Sequence, residues 1–284
     1  MDCQMIAHDL SAAAVEIALQ KGYQFKNPLG QGAFKSAYLV ETEDGYCALK
    51  IAQNTGSLER LLREASALQN CSHSNIAKLI EAFPYQYGNL SLWVVREEYL
   101  AGGTLEEKLR NNTLPPSDVR HIGLCLADVL DHLNEKHLVH RDIKPANILF
   151  RDNLTTPVLT DFGVVRMLDE PSLTRAFLPM GPGTPAYAAP EQLNNDKAQI
   201  GWRTDLFGLA IVLSECLIGH HPYMQKGGNL HDAIALVAAR GMPPRSSLDE
   251  LTNLGFSSLW PAIQPWPVLR YRRPRDFITA LNQS

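Results

Sequence analysis

The sequence predicts an α+β protein in which a small strand-rich segment, residues 23–100, precedes a larger helical one, residues 101–284, with residues 1–22 as a helical extension. Three observations predict it. Between Tyr23 and Tyr99, apolar residues such as Leu29, Ala37, Leu39, Cys47, Leu49 and Ile51 alternate with polar ones around turn residues such as Asp44-Gly45, which is the period of half-buried strands. One helix interrupts them. Ser57 is a suitable N-cap, and Leu58, Leu61, Leu62, Ala65 and Leu68 follow at helical spacing. After Ala101-Gly102-Gly103 the apolar period becomes mainly helical.

In chain order, Leu10 to Leu19 is apolar and alanine-rich and reads as a short amphipathic helix laid on the body of the protein. Leu90 to Val95 is the clearest strand after the interrupting helix. Ala101-Gly102-Gly103 reads as a linker. Helices are then predicted over Leu105 to Asn111, Ser117 to Lys136, Thr204 to Ile218, Leu230 to Arg240 and Arg275 to Leu281. There is no internal repeat and no low-complexity segment.

With 45% hydrophobic and 20% charged residues, the 284-residue chain has a globular composition and length for a substantial core. Its net charge of −4 is spread along the chain without a basic block, which excludes a nucleic-acid partner. The five cysteines form no CxxC pair, so neither a disulfide framework nor a zinc site is expected, and a reducing, cytoplasmic location follows. Cys125 and Cys216 read as small core residues. The longest apolar run, Leu206 to Ile218, is broken by Ser214 and Glu215 and is too short to span a bilayer. The N-terminus lacks the basic start of a signal peptide. No integral membrane segment is expected.

Four motifs carry chemistry. Leu29-Gly30-Gln31-Gly32-Ala33-Phe34-Lys35-Ser36-Ala37 sits between two strands. Its glycines let backbone N–H groups approach phosphate oxygens, although a plain hairpin turn reads the same way. In Ala48-Leu49-Lys50, a lysine on an otherwise apolar strand needs a polar destination. An α/β-phosphate plus the carboxylate of Glu64 would serve, or Lys50 could end the strand at solvent. His140-Arg141-Asp142-Ile143-Lys144-Pro145-Ala146-Asn147-Ile148-Leu149 is the strongest signal. Phosphoryl transfer needs a positioned acceptor hydroxyl and cations around the transferred group. Asp142 can accept the hydroxyl proton, Lys144 can reach the γ-phosphate, and Asn147 offers a neutral oxygen to Mg²⁺. Asp161, in Asp161-Phe162-Gly163 behind the apolar run Val158-Leu159, supplies a second oxygen ligand.

In this order, and with Gly183-Thr184-Pro185-Ala186-Tyr187-Ala188-Ala189-Pro190-Glu191 following, the motifs resemble those of the eukaryotic-type (Hanks-type) serine/threonine protein kinases from about Tyr23 to Leu281. The resemblance implies the bilobal protein-kinase fold: a small β-rich N-lobe with one key helix, and a larger α-helical C-lobe. It also implies transfer of the γ-phosphate of Mg-ATP to Ser/Thr hydroxyls of protein substrates, the chain itself included, with Mn²⁺ able to replace Mg²⁺. By the same likeness Gly30, Gln31, Gly32, Ala33, Phe34 and Lys35 would cover the phosphates. Lys50 would pair with Glu64. The backbone of Glu98 and Leu100, flanking Tyr99, would bond the adenine edge, and Leu29, Ala37, Ala48 and Leu149 would enclose the ring. Asp142, Lys144 and Asn147 would be catalytic, and Asn147 and Asp161 would hold the metal. Asp205 would anchor the catalytic loop, and Glu191 and Arg273 would form a buried ion pair. Lys144 and Thr184 favour serine or threonine over tyrosine as acceptor.

The sequence departs from the family at three places. Lys35 replaces the third loop glycine and either adds charge over the phosphates or points to water. Ala37 replaces the usual valine. Glu97 stands where an apolar residue or Thr is usual, and a carboxylate there is costly unless Arg96 or another cation pairs with it. Arg141, ahead of the catalytic Asp142, resembles kinases switched by phosphorylation between the DFG and APE motifs, here Val164 to Ala188. Thr174 and Ser172 are candidate sites, and Asp169 and Glu170 could stand in for a phosphate. Two other functions fit the fold: a nucleotide-binding scaffold without transfer, and a small-molecule kinase. Intact Lys50, Glu64, Asp142, Asn147 and Asp161 argue against the first, and Lys144 with the APE segment against the second. The protein substrate and the oligomeric state are not encoded in any motif.

Overall fold

The alternation of Tyr38, Val40, Cys47, Leu49 and Ile51 gives two adjacent strands one apolar face, and that face organises the first part of the molecule. The computed structural model describes residues 10–31, 35–53, 62, 65–66, 69, 71–110, 112–152, 154–162, 166–167 and 185–283. They fall into two compact units, one drawn from Met1–Ser72 and Ala77–Tyr99, the other from His73–Ile76 and Leu100 onward.

The first unit holds α1 (Ser11–Lys21) and the antiparallel strands β1 (Gln24–Gln31), β2 (Lys35–Thr42), β3 (Gly45–Gln53), β4 (Leu79–Tyr87) and β5 (Leu90–Glu98). Their order across the sheet is β1-β2-β3-β5-β4. One sheet face, formed by Tyr38, Val40, Cys47, Leu49, Ile51, Leu92 and Val94, is closed by Leu10, Ala13, Ala14, Ile17 and Ala18 of the α1 segment. The alanines keep the helix close to the sheet. Burying such a face contributes about 25 cal/mol per Å² of apolar surface. Gly22, at φ 73°, ends α1 in the left-handed region that disfavours side chains. The other face carries Ala37, Leu39, Ala48, Lys50, Val95 and Glu97, since Ala37 lies opposite Lys50, Leu39 opposite Ala48, Lys50 opposite Val95 and Ala48 opposite Glu97. Of the helix predicted from Ser57, residues Leu62, Ala65, Ser66 and Gln69 are helical. Ser57 and Glu64 lie outside the described residues.

The second unit is mainly helical: α2 (Leu105–Leu109), α3 (Pro116–Glu135), α4 (Pro190–Leu193), α5 (Trp202–Ile218), α6 (Leu230–Ala238), α7 (Arg245–Asn253), α8 (Leu259–Ala262) and α9 (Pro274–Asn282). Short strands β6 (Leu138–Val139), β7 (Ile148–Phe150), β8 (Pro157–Leu159) and β9 (Arg166–Met167) form two pairs, β6 with β9 and β7 with β8. The apolar run of α5 is buried nearly all round, with α3, α7 and α8 packed on it and α9 on α3. Thr104 caps α2, accepting the N–H of Glu107 at 3.0 Å while the Glu107 carboxylate accepts the N–H of Thr104 at 2.9 Å.

The fold class agrees with the one the sequence predicts, and the predicted helices start and end within a few residues of the observed ones. Three in the second unit were missed, α4, α7 and α8. Cys216 is buried as expected, but Cys125 is only half-buried. None of the described cysteines forms a disulfide. No described helix is long and apolar enough to cross a membrane.

Candidate active site

The segment from His140 to Asp161 is bent into place by groups from helices distant in sequence. Both carboxylate oxygens of Asp205, on α5, accept backbone N–H groups, from His140 and from Arg141, each at 2.7 Å. Burial pushes the Asp205 carboxyl up to about 7, against the lowering effect of those two N–H donors. The Gln192 side-chain amide donates to the Arg141 carbonyl at 2.8 Å. Arg141 is thereby held at φ 71°, a left-handed conformation rare outside glycine. Gly208, one turn along α5 from Asp205, makes the approach possible. A Cβ there would stand 3.3 Å from the carbonyls of Ile143 and Tyr187.

His140 is fully buried. Its Nδ1 accepts the N–H of Asp142 at 3.2 Å, so its Nε2 carries the proton and donates to the Thr160 carbonyl at 3.1 Å. The Phe162 ring stands edge-on to it, with centroids 4.7 Å apart. One imidazole thus ties the backbone before Asp142 to the backbone before Asp161.

Three predicted residues meet at Asp142. Lys144 Nζ donates to Asp142 Oδ2 at 2.9 Å. Asn147 Nδ2 donates to the same oxygen at 2.9 Å and to the Asp142 carbonyl at 2.8 Å. Asp142 and Lys144 are about one-third open to solvent, and Asn147 is buried. The nitrogen of Asn147 is thus committed to Asp142, and its side-chain oxygen takes no part in these bonds. Asp161 is brought alongside by a strand ladder. Ile148 pairs with Leu159, and the Thr160 N–H donates to the Asn147 carbonyl at 3.0 Å. Asp161 itself sits at φ 73°. Among the described residues there is no cluster of three or more His, Cys, Asp or Glu fit to hold a metal alone. A carboxylate and an amide oxygen are hard donors that suit Mg²⁺, an ion that keeps waters and substrate phosphates in its shell. Leu149 is half-buried on β7, with an isolated bridge to Thr104, and Leu100 is buried in the same unit.

In the sheet unit, Gly30 and Gln31 end β1 opposite Ala37 and Ser36, and Leu29 beside them is exposed. Lys35 opens β2 half-buried. Gly32, Ala33 and Phe34 lie outside the described residues. Ala37 and Ala48 share a sheet face with Lys50. The Glu98 N–H donates to the Lys78 carbonyl at 3.0 Å, and its carboxylate accepts the Lys78 N–H at 2.8 Å. Lys50 Nζ meets Glu97 Oε2 at 2.6 Å. Arg96, the cation considered for Glu97, instead bonds Glu81 at 2.8 Å. Glu64, Thr184, Ser172, Thr174, Asp169 and Glu170 lie outside the described residues.

The expected pair of Glu191 with Arg273 is corrected. Glu191 is gripped by Arg270, through Nη1 to Oε1 at 2.7 Å and Nη2 to Oε2 at 3.0 Å, with both side chains fully buried. Arg273 sits on the surface before α9, bonded to Asp276 at 2.7 Å. The helix start decides this: Pro274 occupies the first turn, which leaves Arg273 as the extended flanking residue facing the N-terminal Asp276.

Comparison with known proteins agrees with this geometry. The protein kinase domain family matches residues 23–253. The serine/threonine-protein kinase CLA4 of Candida albicans is 30% identical over 79% of this chain and 23% of its own length. The serine/threonine-protein kinase shk1/pak1 of Schizosaccharomyces pombe is 30% identical over 85% of this chain and 37% of its own. The serine/threonine-protein kinase PknJ of Mycobacterium tuberculosis is 29% identical over 88% and 42% respectively. The chain thus spans less than half the length of these relatives. On the family match, and with Asp142, Lys144 and Asn147 joined at one carboxylate oxygen, the chain belongs to the protein kinase family.

Proposed function

We propose that this chain transfers the γ-phosphate of Mg-ATP to serine or threonine hydroxyls of proteins, its own chain among them. The observation that carries the reading is the convergence of Lys144 and Asn147 on one oxygen of Asp142. Both donors fall on Oδ2, so Oδ1 is the oxygen turned to the acceptor hydroxyl. That oxygen orients the hydroxyl in line with the γ-phosphorus and takes its proton as the new O–P bond forms and the bond to the β-phosphate oxygen breaks, leaving ADP. Lys144 neutralises charge that develops on the transferred group. Asn147 and Asp161 would hold Mg²⁺, which supplies charge neutralisation on the phosphates. Lys50 would bond the α- and β-phosphates. The Glu98 and Leu100 backbone would meet the adenine edge. Preference for serine and threonine is supported by Lys144 and by relatives named as serine/threonine-protein kinases.

The test is transfer from labelled Mg-ATP to a generic basic protein. Wild type should turn over at roughly the 1–100 s⁻¹ typical of active kinases, and Asp142→Ala and Asp161→Ala should fall to background. Near-wild-type turnover in either variant, or nucleotide binding by wild type with no transfer, would refute the assignment.

A further inference from the structure

The order of motifs does not account for Glu97. Alternation along β5 sends Leu92 and Val94 to the face closed by α1, and Val95 and Glu97 to the opposite one. Glu97 is 7% exposed. A carboxylate that deep requires a partner. Register supplies it. Lys50 lies opposite Val95, and Glu97 is two residues further on, opposite Ala48. That makes Glu97 the diagonal neighbour of Lys50, a separation long side chains bridge. Ala48, with only a methyl group, leaves the path between them open. The resulting contact, 2.6 Å from Nζ to Oε2, is a short charge-assisted hydrogen bond. Arg96 has turned away to Glu81 and Cys47.

We propose that Glu97 is a positioning residue for Lys50, holding its ammonium from the neighbouring strand at the place where the nucleotide phosphates bind. Lysine is a point charge on a flexible four-carbon stem, so its use against a phosphate depends on what fixes its tip. Here that tip is fixed by a group on β5, within the same rigid sheet. This rests on the reading of Lys50 as the phosphate lysine.

The experiment compares the dissociation constants of Mg-ATP and of adenosine, which has no phosphates, by calorimetry on the full chain. Wild type, Glu97→Gln and Glu97→Asp are measured. The aspartate keeps the charge but is one methylene shorter, so it holds the ammonium less closely. If Glu97 acts through Lys50, Glu97→Gln weakens Mg-ATP about tenfold and leaves adenosine within about twofold. Glu97→Asp moves the ratio in the same direction by a smaller factor. A ratio of the two constants unchanged from wild type, in either variant, overturns the proposal while the kinase reading stands. Wild type that binds adenosine but gains nothing from the phosphates of Mg-ATP overturns both.

Discussion

Glu191 with Arg270, in the helical unit, and Lys50 with Glu97, in the sheet unit, are both inward-facing ion pairs, yet they are built differently. The Arg270 guanidinium grips both oxygens of Glu191 and also donates to the carbonyls of Arg203, Gln264 and Pro265. Its plane lies over the Phe207 ring at 4.7 Å. Neither side chain has any exposure. Lys50 meets one oxygen of Glu97, and the two side chains keep 16% and 9% exposure. A forked cation with its donors committed to protein is a brace. A point cation at the edge of accessibility is one that a ligand can reach. The difference teaches that two inward-facing ion pairs can differ in geometry and depth: one is a fork with no exposure, the other a single contact that solvent still touches.

The largest expected effect tests the brace. Arg270→Ala strands the Glu191 charge in the interior and should cost about 3–5 kcal/mol in chemical denaturation, enough to threaten folding. A loss below about 1 kcal/mol would mean that Glu191 finds water or another partner, and the contrast between the two pairs would collapse.

The next effect sharpens the comparison with a buried group kept neutral instead of paired. His221 Nδ1 accepts the Tyr223 N–H at 3.2 Å, and its Nε2 donates to the Ala186 carbonyl at 2.8 Å. Burial lowers its pKa to about 4. Below about pH 6.5 the unfolded chain takes up a proton that the folded chain refuses until about pH 4, so stability falls as pH falls through that window. The loss attributable to this residue is up to about 3 kcal/mol. Asp205, with its carboxyl pushed up to about 7, works in the opposite sense, favouring the fold less as pH rises. The quantity to measure is therefore the difference in pH slope between wild type and His221→Gln. An identical slope in both proteins would show that His221 titrates normally.

The smallest effect is a control on the corrected pairing. Arg273→Ala removes an exposed contact with Asp276 and should leave the midpoint of chemical denaturation essentially where it is in wild type. A loss comparable to that of Arg270→Ala would restore Arg273 as the brace.

What the sequence made legible follows from how its residues are spaced. Asp142, Lys144 and Asn147 lie within six residues, and Asp161 follows one short strand pair later, so one contiguous reading finds them. Glu191 and Arg270 are 79 residues apart, and four arginines lie between 270 and 275. Which one turns inward depends on where α9 begins, and Pro274 sets that only once the helix is known. Glu97 was visible as an anomaly, a carboxylate on an apolar strand, but its partner needed the β3–β5 register. The helix α7 carries RSSLDELTN, too polar for its period to stand out, and α8 is a single turn. The α1 segment was legible because its apolar residues recur on one face, and that face is the one that closes the sheet.

The most direct measurement is ATP affinity with and without magnesium, in wild type and in Asp161→Asn. If Asn147 and Asp161 hold the metal beside the nucleotide, magnesium tightens ATP binding in wild type. In the variant that gain disappears while the metal-free affinity is unchanged. An equal gain from magnesium in both proteins would contradict the placement of the metal, and with it the roles given to the residues around Asp142.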